Sequence, residues 1–221
     1  KKTITYETRY YTPALSPDLK NIVCVEVDEA NNSYLTILDI LTGKKIKSIP
    51  APKNIHIQQP QYHPNGQKII TIGVSESGTN LLEFDLSDEK ITARIAWTNQ
   101  QIERPIYYKN DLIFKSNLDN KDDIFKLEQG EILRLTNVEY GAFNPFVHEN
   151  ILFFNDYTPR GLKVNHVDLD TVRVQKISPQ VSQTLYASQN TFKIPTEPID
   201  STTAYTITDY SSLLHTVNFH S

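Results

Sequence analysis

The 221-residue sequence has a single cysteine, Cys24, and no methionine. One cysteine excludes an internal disulfide and any cysteine-rich zinc site. Lacking methionine, the chain opens on Lys1-Lys2, as expected of a processed protein or a domain cut from a longer polypeptide; loss of modified methionines would leave the same record. Residues 1–11 have neither the apolar central region nor the small-residue cleavage site of a signal peptide, and an exported precursor already trimmed looks the same. No run approaches the roughly 18–20 apolar residues of a membrane-spanning helix. A basic surplus is missing too: 22 basic against 26 acidic side chains give a net charge of −4. That balance argues against a nucleic-acid binder, which needs cations to neutralise phosphates. Hydrophobic residues are only 38%, but 12 Tyr, 9 Phe and one Trp supply bulky material for a core. A chain of this length can bury one.

What is present is a repeat. Four segments open with proline and a short apolar stretch: Pro13-Ala14-Leu15, Pro60-Gln61-Tyr62, Pro105-Ile106-Tyr107 and Pro145-Phe146-Val147, spaced by 47, 45 and 40 residues. After each comes a polar turn and a strand-like run, at Ile22 to Val27, Lys68 to Val74, Leu112 to Lys115 and Ile151 to Asn155. A second polar turn leads to Tyr34 to Asp39, Leu81 to Asp85, Ile124 to Leu127 and Val164 to Asp168. The last runs are Ile46 to Ile49, Ile91 to Ile95, Ile132 to Thr136 and Val172 to Ile177. Val, Ile, Phe, Tyr and Thr dominate, as a pleated packed surface prefers. No stretch sustains the i, i+3, i+4, i+7 spacing of an amphipathic helix. The pattern predicts an all-β protein built of four-stranded antiparallel units. Such units bury both faces only by stacking, which points to the blades of a β-propeller. A β-sandwich also uses many short strands, but has no reason to repeat proline, turn and aspartate at fixed offsets.

Ser16-Pro17-Asp18-Leu19-Lys20-Asn21-Ile22-Val23 and His63-Pro64-Asn65-Gly66-Gln67-Lys68-Ile69-Ile70 resemble the Ser-Pro-Asp-Gly-Lys-hydrophobic repeat of TolB-like propellers. Leu38-Asp39-Ile40-Leu41-Thr42-Gly43-Lys44 is similar to the Asp-Leu-x-Thr-Gly turn of the same family, with weaker copies at Phe84–Asp88 and Val167–Thr171. The first copy has Leu19 in place of glycine. The third and fourth, Tyr108-Lys109-Asn110-Asp111 and Val147-His148-Glu149-Asn150, lack the Pro-Asp-Gly turn. In that turn proline presets φ, Asp or Asn caps through its side chain, and glycine takes positive φ. Asp39, Asp85 and Asp168 are accordingly expected as turn acceptors.

The repeat divides residues 12–177 into blades at about 12–58, 59–103, 104–143 and 144–177. Residues 1–11 alternate and read as one strand of an adjoining or closing blade. Residues 178–221 read as a partial blade and linker, with strand-like pieces at Thr184–Ala187, Thr191–Ile194, Ala204–Ile207 and Leu213–Phe219. The stretch from Tyr205 to Ser221 is similar to a segment of bacterial exported proteins in which a TolB-like propeller precedes an outer-membrane β-barrel. That resemblance implies a periplasmic or outer-membrane-associated location.

No catalytic constellation is recognisable. Gly73-Val74-Ser75-Glu76-Ser77 lacks the final glycine of a nucleophile elbow and sits between two strands rather than before a helix. His56, His63, His148, His166, His215 and His220 show no zinc-binding spacing. Asp119-Asn120-Lys121-Asp122-Asp123 carries a lysine where a calcium loop needs an oxygen ligand. Asn31-Asn32-Ser33 matches a glycosylation sequon, a pattern common by chance. No phosphate-binding glycine loop occurs, and no cofactor or metal is expected. The aromatics Tyr10, Tyr11, Tyr62, Tyr107, Tyr108, Phe143 and Phe146 cluster near the repeat starts, either packing between blades or forming a rim at the central channel. Gln58, Gln59, Arg104 and Phe143, expected on inter-strand turns, fall where such a face would lie.

These features imply a non-enzymatic propeller domain that presents one face to another protein or domain, with no nucleic-acid partner and membrane contact only through a downstream barrel. An alternative from the same resemblance is a propeller gating a prolyl-oligopeptidase-like or tricorn-like peptidase whose catalytic serine lies outside these residues. A hydrolase acting on glycans or lactones would need carboxylates or histidines converging at the channel.

Overall fold

A computed structural model describes residues 3–6 and 8–177. The chain divides into two units, Lys1–Ser182 and Gln183–Ser221, and the first is the one described. Its described residues form sixteen strands and no helix. The first sheet contains β1 (Tyr10–Leu15), β2 (Asn21–Val27), β3 (Ser33–Asp39) and β4 (Lys45–Pro50), and the second β5 (His56–Tyr62), β6 (Lys68–Ser75), β7 (Gly78–Asp85) and β8 (Ile91–Ala93). The third has β9 (Ile102–Tyr108), β10 (Asp111–Ser116), β11 (Asp123–Glu128) and β12 (Glu131–Arg134). The fourth has β13 (Ala142–His148), β14 (Ile151–Thr158) and β15 (Gly161–Asp168). Within each sheet, strands adjacent in sequence pair antiparallel.

Stacking of these sheets explains which residues the strands use. Val23, Val25, Leu35 and Ile37 of the first sheet pack on Ile57, Ile69, Leu82 and Phe84 of the second. The opposite face of the second sheet, with Ile70, Ile72 and Leu81, meets Phe114, Phe125 and Leu127 of the third. A third core joins Ile113 and Ile124 to Leu152 and Phe154 of the fourth. Strands β6 and β10, covered on both faces, are therefore almost continuously buried, whereas β14 alternates because only its Leu152 and Phe154 side is deeply covered. Each fully buried Leu, Ile or Phe contributes about 1.5–3 kcal/mol by leaving water. No sheet stands without its neighbour.

The turns carry the expected chemistry. Asp18 accepts from the Ser16 hydroxyl at 2.6 Å, and Asn65 accepts from the Gln67 N–H at 3.0 Å. Asp39 accepts from the Thr42 N–H at 2.8 Å, Asp85 from the Ser87 N–H at 2.9 Å and Asp168 from the Asp170 N–H at 2.9 Å. Leu19 takes the positive φ of 58° that Gly66 takes at 74° in the second copy.

Two expectations are corrected. The run Val172 to Ile177 does not complete the fourth sheet as the repeat predicts: its strand β16 (Gln175–Ile177) pairs with β12 and becomes the fifth strand of the third sheet. Two polar contacts hold it there, Lys176 to Glu131 at 2.5 Å and Arg134 to Gln175 at 3.3 Å, and Ile177 joins the core between the second and third sheets. Leu169 and Val172 pack on the core between the third and fourth sheets on the way. Among the described residues of 1–11 no separate strand occurs: Thr3–Tyr6 is irregular, while Tyr10 and Tyr11 begin β1. Ile4 instead lies over the turn after β3, where a Cβ on Gly43 would stand 1.9 Å from its carbonyl oxygen. The strand-like pieces at Thr184–Ala187, Thr191–Ile194, Ala204–Ile207 and Leu213–Phe219, and the barrel-linked stretch from Tyr205, lie outside the described residues.

Candidate functional site: an axial cleft of four proline bulges

The four prolines that mark the repeat produce one backbone device. Partner residues run Tyr11 with Val25 and then Ala14 with Val23; Gln58 with Ile72 and then Gln61 with Ile70. In the third and fourth sheets they run Glu103 with Lys115 and then Ile106 with Ile113, and Phe143 with Asn155 and then Phe146 with Phe153. Each time a residue and its following proline oppose a single residue of the neighbouring strand, which is a β-bulge. Proline has no N–H to offer the ladder, so it is tolerated where pairing is broken. The residue before it has positive φ in all four: Thr12 at 48°, Gln59 at 50°, Arg104 at 53° and Asn144 at 51°. None is glycine, and such geometry costs of order 1–3 kcal/mol per residue.

The bulges of neighbouring sheets are joined side by side. The Gln59 N–H donates to Thr12 Oγ1 at 3.3 Å, and the Arg104 N–H donates to Gln59 Oε1 at 2.7 Å. The row changes at Arg104, whose guanidinium has no oxygen to offer the next bulge; Asn144 turns its amide to Asn155 Oδ1 at 3.0 Å. Between the bulges lies an open cleft of about 410 Å³, lined by Thr12, Gln59, Gln61, Arg104, Ile106 and Phe146 together with Pro13, Pro105 and Pro145. Phe146 is 62% exposed there. Arg104 carries the only formal charge of this lining, and among the described residues its guanidinium has no ion-pair partner. The adjacent Glu103 is engaged by the buried Lys115 at 3.4 Å; Lys115 also pairs with Asp122 at 2.8 Å and faces the Phe143 ring at 5.4 Å.

Gln58, Gln59, Arg104 and Phe143, singled out from the sequence, lie within strands β5, β9 and β13 rather than on inter-strand turns, and of them Gln59 and Arg104 meet in this cleft. Gln58 lines an adjoining cleft of about 370 Å³ with Tyr11 and His56, and Phe143 sits over Lys115 beside the axial cleft. Phe146 reaches the rim, while the other aromatics mostly brace sheets. Tyr107 donates to Glu83 Oε2 at 3.0 Å with the His63 ring edge-on against it, and Tyr108 donates to Asn150 Oδ1 at 2.9 Å. Burial works against the Glu83 carboxylate, but the hydrogen bond from Lys68, the charge of Arg94 and the hydrogen bond from Tyr107 outweigh it and hold its pKa below the ordinary value. The Tyr107 phenol is pushed up by burial and by Glu83. Thr12, Gln61 and Asn144 were missed. The signal for them was the position next to the recurrent proline, on a strand whose pairing a proline must interrupt.

The other motifs resolve into structure. Ser75 pairs with Gly78 across a hairpin turn. In the acidic stretch Asp119 pairs with Arg134, Asp122 with Lys115, and Asp123 accepts from the Thr136 hydroxyl at 2.8 Å. His56 bonds Ser33 and His63 accepts from the Asn65 N–H; His215 and His220 lie outside the described residues. Among the described residues no group of three or more His, Cys, Asp or Glu side chains is placed to hold a metal ion, and no helix is long and apolar enough to cross a membrane.

Four antiparallel sheets stacked side by side, with their first strands meeting at a common cleft, define a β-propeller fold. That fold is similar to the propeller of TolB proteins. The chain superposes on TolB from Acinetobacter baumannii with a TM-score of 0.64 and 18% identity, over 78% of this chain and 44% of that one. With a TolB candidate from Agrobacterium tumefaciens the TM-score is 0.65 at 17% identity, over 78% of this chain and 66% of that one. A puromycin-hydrolyzing peptidase from Mycobacterium tuberculosis matches with a TM-score of 0.61 and 11% identity, over 83% of this chain and 31% of the peptidase. The chain thus spans less than two thirds of each of these structures. No protein-family model and no curated protein matches its sequence.

Proposed function

We propose that this is a non-catalytic propeller domain of an exported bacterial protein, which docks another protein or domain at the axial cleft. The observation that carries the reading is the fourfold bulge: strained non-glycine residues at equivalent places around one cleft, with an exposed Phe146 and an Arg104 that has no ion-pair partner among the described residues. Strain of this kind persists where surrounding structure over-determines it and clusters at functional sites. The exported, cell-envelope setting rests on the TolB-like resemblance of the repeat. A photo-crosslinking residue in place of Phe146, in the bacterium that makes the protein, tests the proposal. A discrete adduct that disappears with Arg104→Ala supports docking at the cleft. Equal labelling from a probe in place of Leu41, or no adduct at Phe146, sinks it.

A second reading has the peptidase likeness behind it: the propeller is an accessory domain gating a peptidase. An α/β-hydrolase segment with Gly-x-Ser-x-Gly in the parent reading frame favours gating, and alternating ten-residue strands favour a membrane barrel. Clear turnover of a glycan or lactone by the domain alone would overturn both.

A further inference from the structure

We propose that the axial cleft recognises a carboxylate attached to an apolar group, with Arg104 as the residue that holds the carboxylate. This rests on the cleft being the docking site and names the chemistry of what docks. Three observations carry it. First, the cleft is charged against the rest of the molecule: the chain has a net charge of −4, yet the only formal charge in the lining is Arg104's. Lys115 occupies the neighbouring Glu103, and no carboxylate among the described residues lies within ion-pair distance of the Arg104 guanidinium. A planar fork of donors suits a carboxylate through two parallel bonds.

Second, there are further donors. Gln59 accepts the Arg104 N–H through Oε1, so that bond fixes its amide and leaves the NH2 end free. The Gln61 side chain lines the same cleft with no partner among the described residues. Third, the remaining wall is apolar and rigid: Ile106, Pro105, Pro145 and the exposed Phe146 ring. Prolines add no N–H that an apolar group would leave unsatisfied. A volume of about 410 Å³ is in the range of small-ligand pockets and takes one aromatic or branched side chain with its carboxylate. The C-terminal residue of a peptide ending in an apolar side chain has that chemistry.

N-acetyl-L-phenylalanine and its primary amide, titrated into the isotopically labelled full chain and followed by NMR, form the test. The carboxylate is expected to shift the backbone amides of Gln59, Arg104 and Phe146 and to bind about tenfold more tightly than the amide. Arg104→Gln should abolish that preference while leaving weak binding of the amide, and Arg104→Lys should retain part of it because charge survives and the fork does not. Equal binding of the two probes, a preference that survives Arg104→Gln, perturbation confined to other surfaces, or no binding at all would each overturn the inference. The Phe146 crosslink is independent of this titration. If it forms but the probes show no preference, only the carboxylate chemistry fails; if it does not form, the docking reading fails.

Discussion

Exchanging the residues at two equivalent turn positions tests whether the repeat is structurally real. Leu19 and Gly66 occupy the same place in the first and second copies, with φ of 58° and 74°. Their N–H groups make matching bonds, to the Ser16 carbonyl at 2.9 Å and the His63 carbonyl at 2.8 Å. Leu19 is 63% exposed, so its side chain contributes little packing. A Cβ on Gly66 would meet nothing within 4 Å, so substitution there adds no clash. The energetic difference is therefore conformational. A left-handed conformation costs an L-residue roughly 1–2 kcal/mol, and glycine's extra freedom when unfolded gives back about 0.5–1 kcal/mol. Leu19→Gly should then stabilise by about 0.5–1 kcal/mol, and Gly66→Leu should destabilise by a similar amount. Urea denaturation reads both as opposite shifts in midpoint with unchanged slope, and Tm should move by about 1–4 °C. A destabilised Leu19→Gly, or shifts of the same sign in both variants, would refute the equivalence.

Other consequences follow from burial and charge. Phe114 is fully buried between the second and third sheets, so Phe114→Ala should cost about 3–5 kcal/mol in chemical denaturation; a loss under about 1 kcal/mol would mean the sheets are not stacked there. Cys24 is buried and its thiol is pushed up to about 11, chiefly by burial; a thiol-specific reagent at neutral pH should label it only as fast as the protein opens, and prompt labelling would contradict this. Glu83 has a lowered folded pKa, so its contribution is present above the unfolded value of about 4.3 and is lost as pH falls through the folded value. Its partners Lys68 and Arg94 are partly exposed, which puts the cost of Glu83→Gln near 2 kcal/mol at neutral pH, below the usual range for a buried pair. The stabilities of wild type and variant should converge in acid; a constant gap down to pH 2 would contradict the assignment.

How far the sequence was legible depended on how local the determining contact was. The prolines at 13, 60, 105 and 145, the aspartate-capped turns and the β-rich runs are local signals, and they led to the stacked sheets that are found. Strand β16 was misplaced because its partner is distant: Gln175 meets Arg134, 41 residues away, and no pattern within Val172 to Ile177 distinguishes that edge from β15. The cleft was half visible. Gln59 and Arg104 stood out as members of a face expected on inter-strand turns, but Thr12 and Asn144 did not, because the four residues share a backbone conformation and no side-chain chemistry. A β-branched residue, an amide, a guanidinium and a second amide all adopt positive φ at one and the same place, the first residue of a bulge that interrupts an inner strand's ladder.

The most direct measurement of whether the inner strands meet around a shared cleft is a set of proton–proton contacts at the Arg104 amide, observed by NMR. The structure predicts contacts from this amide to the Gln59 side chain, and from the Gln59 amide to Thr12. An unbroken ladder with Arg104 paired in regular register opposite Phe114, and no contact to Gln59, would contradict it.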